Sequence, residues 1–248
     1  MPSGVTLALA AGTAAALGSA MAWSVRGRSS CVFGPSAWRG EPGRKAIALT
    51  FDDGPGPATL ALLDLLAQYR ARATFFEVGS NVLACPDIAR AVRQAGHEIG
   101  NHSHTHPNFA LRPRAFIHDE FARAQETIAE TTGQPPTLLR APYGVRWFGF
   151  GTMQQQLGLQ GVMWTIIGQD WRLPADAIAA RILSRAQDGD IICLHDGRGT
   201  LRGTLKEDAG VEHAVRKSTV EAMRRILPDL IEKGYHFETV TQLLCPMK

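Results

Sequence analysis

The chain has 248 residues, of which 45% are hydrophobic and 20% charged, with a formal net charge of +3 at pH 7. This balance is ordinary for a soluble globular protein with one large core. Its Lys and Arg are scattered without a long basic run, so composition gives no basis for nucleic-acid binding or a polybasic membrane surface. No nucleic-acid motif occurs, and none is expected to be a partner. Cys31, Cys85, Cys193 and Cys245 lie far apart with no C-x-x-C pair. A thiolate metal site and a disulfide framework are therefore not expected, and Cys193, in "DIICLH", reads as a buried small hydrophobe.

From Val5 to Trp23, "VTLALAAGTAAALGSAMAW", no residue is charged. Roughly 20 such residues would span a bilayer, although Ala and Gly make this run only weakly hydrophobic. Ala20 to Ala22 also fit a small-residue cleavage site. No Lys or Arg precedes the run, whereas Arg26 and Arg28 follow it, an order that would keep the rest of the chain cytoplasmic by the positive-inside rule. An Ala-rich helix packed on the domain is the plain alternative. The expectation is a secreted or membrane-anchored protein, attached through residues 5–23, with 1–45 an N-terminal apolar segment and linker and 46–248 the main domain.

Beyond Lys45 the chain alternates. Short apolar runs occur at 46–51 ("AIALTF"), 73–78 ("ATFFEV"), 97–102 ("HEIGNH"), 137–142 ("TLLRAP"), 162–167 ("VMWTII"), 190–195 ("DIICLH") and 235–240 ("YHFETV"). Between them lie "TLALLDLLAQY", "PDIARAVRQAG", "RAFIHDEFARAQETIAETTG" and "DAIAARILSRAQDG", with apolar residues recurring at three and four as in amphipathic helices. Strand then helix, repeated about seven times, reads as a parallel α/β fold, either barrel or open sheet.

Asp52, Asp53, His102, His106, Arg140, Asp170 and His195 all fall at or just past the ends of these runs. In a parallel barrel those ends converge on one face, where catalytic residues sit. Two adjacent carboxylates in a site of low dielectric repel unless a cation or a donor keeps both ionised. "NHSHTHP" supplies a cation site, because His102 and His106 are four apart and can face one ion with Zn–N distances of about 2.0–2.1 Å. One Asp completes a two-His, one-carboxylate set that leaves positions open for water. His104, between the two, points elsewhere and is given no role; the plain alternative is a His-rich surface loop.

"TFDDGP", "HSHTH", "RAPYG", "QDW" and "LHDG", in this order, resemble the five motifs of the polysaccharide deacetylase family with the NodB-homology domain, over about residues 46–244. The resemblance implies a distorted (β/α) barrel of about seven parallel strands. It also implies a divalent metal, commonly zinc, with cobalt, nickel or iron fitting the same ligands. Carried over by position, Asp53 is similar to the metal-binding aspartate, with His102 and His106. Asp52 is similar to the general base, and Arg140 to the arginine that orients it. His195 resembles the general acid that protonates the departing nitrogen, and Asp170 the carboxylate paired with it. The Tyr143 amide resembles the oxyanion donor, and Trp171 and Leu194 would wall the pocket for the acetyl methyl, a plain core role being the alternative for both.

In the fourth motif Ile167 stands where the family often shows an Asp, which puts contacts near that strand in doubt and leaves the hydrolytic set intact. Residues 197–218, long and charged, read as a mobile lid that selects substrate or a solvated loop. The function expected is a metal-dependent hydrolase removing N-acetyl groups from an amino-sugar polymer or oligomer of peptidoglycan or chitin type. The alternatives are an O-acetyl xylan esterase, a deacylase of a lipid-linked sugar, and a carbohydrate-binding protein that has lost catalysis.

Overall fold

The computed structural model describes residues 4–199 and 205–245. Its strands are β1 (Ser36–Ala37), β2 (Ala46–Asp52), β3 (Ala73–Glu77), β4 (Glu98–Asn101), β5 (Leu138–Leu139), β6 (Gln160–Val162), β7 (Ile166–Ile167), β8 (Ile191–His195) and β9 (His236–Phe237). They pair in parallel in the order β1-β6-β5-β4-β3-β2-β8-β7, with β9 beside the start of β2. The helices are α1 (Gly4–Arg26), α2 (Pro57–Gln68), α3 (Gly79–Ala84), α4 (Pro86–Gln94), α5 (Arg114–Thr132), α6 (Phe150–Leu157), α7 (Ala175–Leu183), α8 (Leu205–Glu232) and α9 (Val240–Leu244).

Every residue of β2 is buried, as its nearly continuous apolar run requires of a strand covered on both faces. Ile47, Leu49 and Phe51 join Leu62 and Leu66 of α2, Ile178 and Ile182 of α7 and Met223 and Ile226 of α8 in one core. Connectivity dictates that the sheet curls. Val162 ends β6 and Ile166 begins β7, yet these strands lie six places apart along the sheet. Four residues of extended chain reach about 14 Å, whereas six strand spacings in a flat sheet would need about 29 Å. The path therefore closes on itself as a half-barrel, in agreement with the distorted barrel expected.

The same crossing corrects one strand of the sequence reading. "VMWTII" forms two strands, because Met163 N donates to Ala37 O (2.7 Å) on one side while Thr165 N donates to Ile191 O (2.9 Å) on the other. "YHFETV" is a strand only at His236–Phe237, since Thr239 and Gln242 cap each other at the start of α9. Of the stretch 197–218, the backbone from Leu205 onward is the first half of α8, not a loop, and 200–204 lie outside the described residues.

The N-terminal region is more closely joined to the barrel than a linker would be. Residues 11–23 of α1 are exposed, but Val25 is buried and Arg146, 1% exposed, is wrapped by the turn that follows. Arg146 donates from Nη1 to Ser30 O (2.7 Å), from Nη2 to Gly27 O (2.5 Å) and from its backbone N to Val25 O (3.1 Å). Phe33 packs with Phe109, Phe121 and Phe150, and β1 extends the sheet. Residues 25–45 thus belong to the packed domain. Among the described residues no helix is long and apolar enough to cross a membrane.

Candidate active site

Asp52 ends β2 and is the register partner of His195 at the end of β8. Neighbouring strands are about 4.8 Å apart, so these side chains start side by side on one face. Asp53 breaks the strand with φ 75°, a left-handed conformation that sends consecutive carboxylates to different partners. The turn tolerates no bulk behind it: a Cβ at Gly197 would lie 2.0 Å from Asp53 O, which accounts for the glycine of "LHDG".

Asp53 Oδ1 lies 3.0 Å from His106 Nε2 and 3.4 Å from His102 Nε2. His102 follows β4, and its Nδ1 is 2.8 Å from Arg140 O. A carbonyl only accepts, so Nδ1 carries a hydrogen, and Nε2 is the ring nitrogen turned toward Asp53. His106 is held with φ 54° and donates its backbone N to Ser103 Oγ (3.1 Å). Burial would raise the Asp53 pKa, but the two imidazoles outweigh it and keep the carboxyl well below its usual range. The buried Oδ1 atom accepts no well-formed hydrogen bond. An anionic oxygen and two imidazole nitrogens, all within 4.8 Å of one another, fit a borderline divalent cation. His104 faces away, its backbone N donating to Glu120 Oε2 (3.1 Å).

Asp52 takes the other cation. Arg140, fully buried, donates from Nη1 to Asp52 Oδ1 (2.6 Å) and Thr50 Oγ1 (2.7 Å), and from Nη2 to Met163 O (3.1 Å). Its guanidinium lies 4.1 Å from the centre of the Phe76 ring. Every side of the fork is occupied, so Asp52 is fixed in place and charge-compensated.

Across the site, His195 Nδ1 is 2.8 Å from Asp170 Oδ1, and the His195 backbone N donates to Asp170 Oδ2 (2.8 Å). Thr219 of α8 donates to the same Oδ2 (2.7 Å). Burial would lower the His195 pKa, but the charge and hydrogen bond of Asp170, with Asp53 and Asp52 beyond, raise it to about 9. Burial would likewise raise Asp170, and His195 outweighs it to leave that carboxyl below its ordinary value. An imidazolium thus faces the cavity through Nε2, poised to give a proton.

Asp52, Asp53, His102, His106 and His195 line a cavity of ≈ 410 Å³. Tyr143 and Trp171 line it half-exposed, with the Trp171 ring edge-on to His195 at 5.3 Å and the Tyr143 ring edge-on to His106 at 4.7 Å. Leu194 does not line it. Side chains alternate along β8, so Cys193 and His195 face the cavity while Leu194 is fully buried in the core with Ile192. Ile167 and Trp164 supply apolar wall in its place.

Sequence reasoning missed several groups, Trp164 and Arg198 of the cavity lining among them. Cys193 Sγ lies 3.5 Å from Asp52 Oδ2, and its spacing of two from His195 on a strand was the available signal. Arg216 Nη2 lies 3.7 Å from Asp53 Oδ2, and its Nε donates to Gly197 O (2.6 Å). Together with Thr219 it shows one face of α8, a spacing of three that is visible once the segment is read as helix. Arg26, at the end of α1, lines the cavity from outside the expected domain and had no sequence signal.

A family model described as polysaccharide deacetylase matches residues 39–162. A chitooligosaccharide deacetylase of Bradyrhizobium sp. (strain ANU 289) is 34% identical over 204 residues, covering 81% of this chain and 91% of that protein. A solved peptidoglycan N-acetylglucosamine deacetylase, in complex with 4-naphthalen-1-yl-N-oxidanyl-benzamide, matches with a TM-score of 0.76 and 28% identity, over 84% of this chain and 92% of its own. A CE4 family pseudoenzyme from Bacillus anthracis matches with a TM-score of 0.73 and 26% identity, over 85% of this chain and 71% of its own. The five motifs, the curled parallel sheet and these matches agree: the chain belongs to the polysaccharide deacetylase family.

Proposed function

We propose that this chain hydrolyses the N-acetyl amide of an N-acetylated amino-sugar polymer or oligomer, of peptidoglycan or chitin type, with a divalent metal held by Asp53, His102 and His106. Zinc is the first choice for that ligand set. When bound, such an ion acts as a Lewis acid and makes water a competent nucleophile near neutral pH. Asp52, immobilised by Arg140, takes the proton of the attacking water. The Tyr143 amide donates to the carbonyl oxygen as negative charge builds there. His195 gives its proton to the departing sugar nitrogen, and Asp170 holds the imidazole in register and charged. Trp171, Ile167 and Trp164 exclude water around the acetyl methyl.

The observation that carries this reading is the separation of two consecutive carboxylates. Asp53 faces two imidazoles at 3.0 and 3.4 Å, while Asp52 is 2.6 Å from a buried guanidinium. A protein that only bound sugar, like an inactive member of the family, would need neither the base with its orienting arginine nor the paired acid. Amide hydrolysis is favoured over ester hydrolysis by the imidazolium, because an amine departs poorly unless protonated. We also propose export or membrane attachment through residues 5–23, supported by the absence of charge in that run and the exposure of residues 11–23.

Acetate release from N-acetylglucosamine oligomers and from acetylated xylan, before and after chelation, tests the reading. The amide is expected to be cleaved, a chelator to abolish cleavage, and zinc or cobalt to restore it. No acetate from the oligomers with metal-loaded protein would sink the deacetylase assignment. Full activity of metal-free protein, or of His102→Ala with His106→Ala, would sink the metal.

A further inference from the structure

We propose that the cavity selects a sugar carrying an anionic group, a phosphate or a carboxylate, close to the acetamide, and that Arg26 and Arg198 hold it. The inference rests on the deacetylase reading and adds a substrate class to it.

The charges inside the cavity are already matched. Asp52 is paired with Arg140, and Asp53 with His102, His106 and, at 3.7 Å, Arg216. Arg216 is further committed to Gly197 O. Two more guanidiniums line the cavity, Arg26 from the end of α1 and Arg198 from the turn after β8. Both are exposed, and neither is paired with an acidic side chain among the described residues.

Both arms start from fixed points. Arg26 lies between buried Val25, whose O accepts from Arg146 N (3.1 Å), and Gly27, whose O accepts from Arg146 Nη2 (2.5 Å). Arg198 lies between Gly197, whose O accepts from Arg216 Nε (2.6 Å), and Gly199, whose O accepts from Asn81 Nδ2. Buried Arg146, through its backbone N and its guanidinium, pins the backbone on either side of Arg26, and the buried side chains of Arg216 and Asn81 pin it on either side of Arg198, while neither cavity guanidinium has an acidic partner among the described residues. Positioning without neutralisation is what an anion subsite requires, since little ordering cost remains to be met on binding. A neutral acetamido sugar asks for aromatic faces, which Tyr143, Trp164 and Trp171 already present. A planar guanidinium fork matches carboxylate or phosphate oxygens. The product amine is cationic, so the same pair would favour its departure.

The test compares kcat/KM of the metal-loaded full chain on a neutral N-acetylglucosamine oligomer, on one bearing a lactyl carboxylate, and on an N-acetylglucosaminyl phosphate. At low salt at least one anionic substrate is expected to be preferred about tenfold or more, the preference shrinking as salt is raised. Which one is preferred identifies carboxylate or phosphate as the source. Arg26→Gln and Arg198→Gln should each reduce the anionic-to-neutral ratio about tenfold, with Arg→Lys recovering part of it. Equal kcat/KM on all three substrates, or a ratio unmoved in the double variant, would overturn the anion subsite while leaving deacetylation standing. Acetate release from none of the three would overturn the deacetylase reading itself. The subsite then stands or falls on calorimetry with inorganic phosphate, whose affinity should drop about tenfold or more in the double variant and must not be equal in both proteins.

Discussion

Replacing Asp170 by Asn keeps the size of the group beside His195 and removes its charge. In the native site His195 stands at about 9, because the attraction of Asp170 overcomes the burial that would lower it. The variant retains the burial and the more distant Asp52 and Asp53, so its imidazole should return to the neighbourhood of the ordinary value of about 6.5. At pH 8 a group of pKa about 9 is roughly nine-tenths protonated, and one near 6.5 about 3% protonated, a loss of about 30-fold in competent acid. The sign is that of a raised imidazole: activity present at lower pH is lost as pH rises through the folded value. The alkaline limb of kcat/KM should accordingly move down by about 2 pH units or more in Asp170→Asn. The acid limb, which His195 does not set, should stay in place. The assay is a pH profile on an N-acetylated oligomer and on an activated ester whose leaving group needs no proton, with His195→Ala as companion. An unmoved alkaline limb, or equal losses of His195→Ala on amide and ester, would refute the acid role and its tuning.

Asp53→Asn should lose bound metal, whereas Asp52→Asn should keep metal and lose turnover by about 10²–10⁴-fold; metal stoichiometry beside kcat decides, and the reverse pattern would exchange their roles. Arg140→Met should cost about 3–5 kcal/mol by leaving Asp52 buried without its cation, measurable as a lowered denaturation midpoint. Burial, with Arg72 nearby, lowers the His97 pKa to about 4, so the unfolded chain binds the extra proton between about 6.5 and 4. Stability from this residue is present at neutral pH and falls by about 3 kcal/mol across that window. In His97→Phe the slope should be lost, and an equally steep profile would count against it. Removing residues 1–23 should leave Tm nearly unchanged, while removing 1–30 takes Gly27 O and Ser30 O from Arg146 and should cost about 3 kcal/mol.

How much was legible follows from how local each signal is. Long buried strands such as β2 and β3 announce themselves as apolar runs, and their C-terminal ends carry the polar residues because parallel strands aim those ends together. For that reason Asp52, Asp53, His102, His106, Arg140, Asp170 and His195 could be grouped from sequence; the structure puts Asp52, Asp53, His102, His106 and His195 around one cavity, with Arg140 behind Asp52 and Asp170 behind His195. The two-residue strands β1, β5, β7 and β9 are too short to show a period. Splitting "VMWTII" into β6 and β7 depends on closure of the sheet, which no window of the sequence contains. Leu194 was misplaced for a different reason: its position in "LHDG" was read from the motif, while the alternation of β8 assigns it to the core and Cys193 to the cavity.

The domain boundary shows where composition misleads. An uncharged run followed by Pro, Gly and Arg reads as a segment and a linker, and nothing near Arg146 marks it as buried. Its partners are carbonyl oxygens of residues 27, 30 and 34 and the Ser36 hydroxyl, so no acidic residue stands in the sequence to betray the pairing. A guanidinium held mainly by backbone carbonyls is nonetheless a strong constraint, since removing those acceptors leaves a charge buried with too few partners. Arg146 therefore fixes the path of 25–34, and that path places Arg26 at the cavity. The end of α1 is part of the catalytic face for the same reason that it resists being a linker. A variant with a flexible Gly-Ser insertion after Arg26 would therefore lose both the Val25 contact with Arg146 and the position of Arg26 at the cavity.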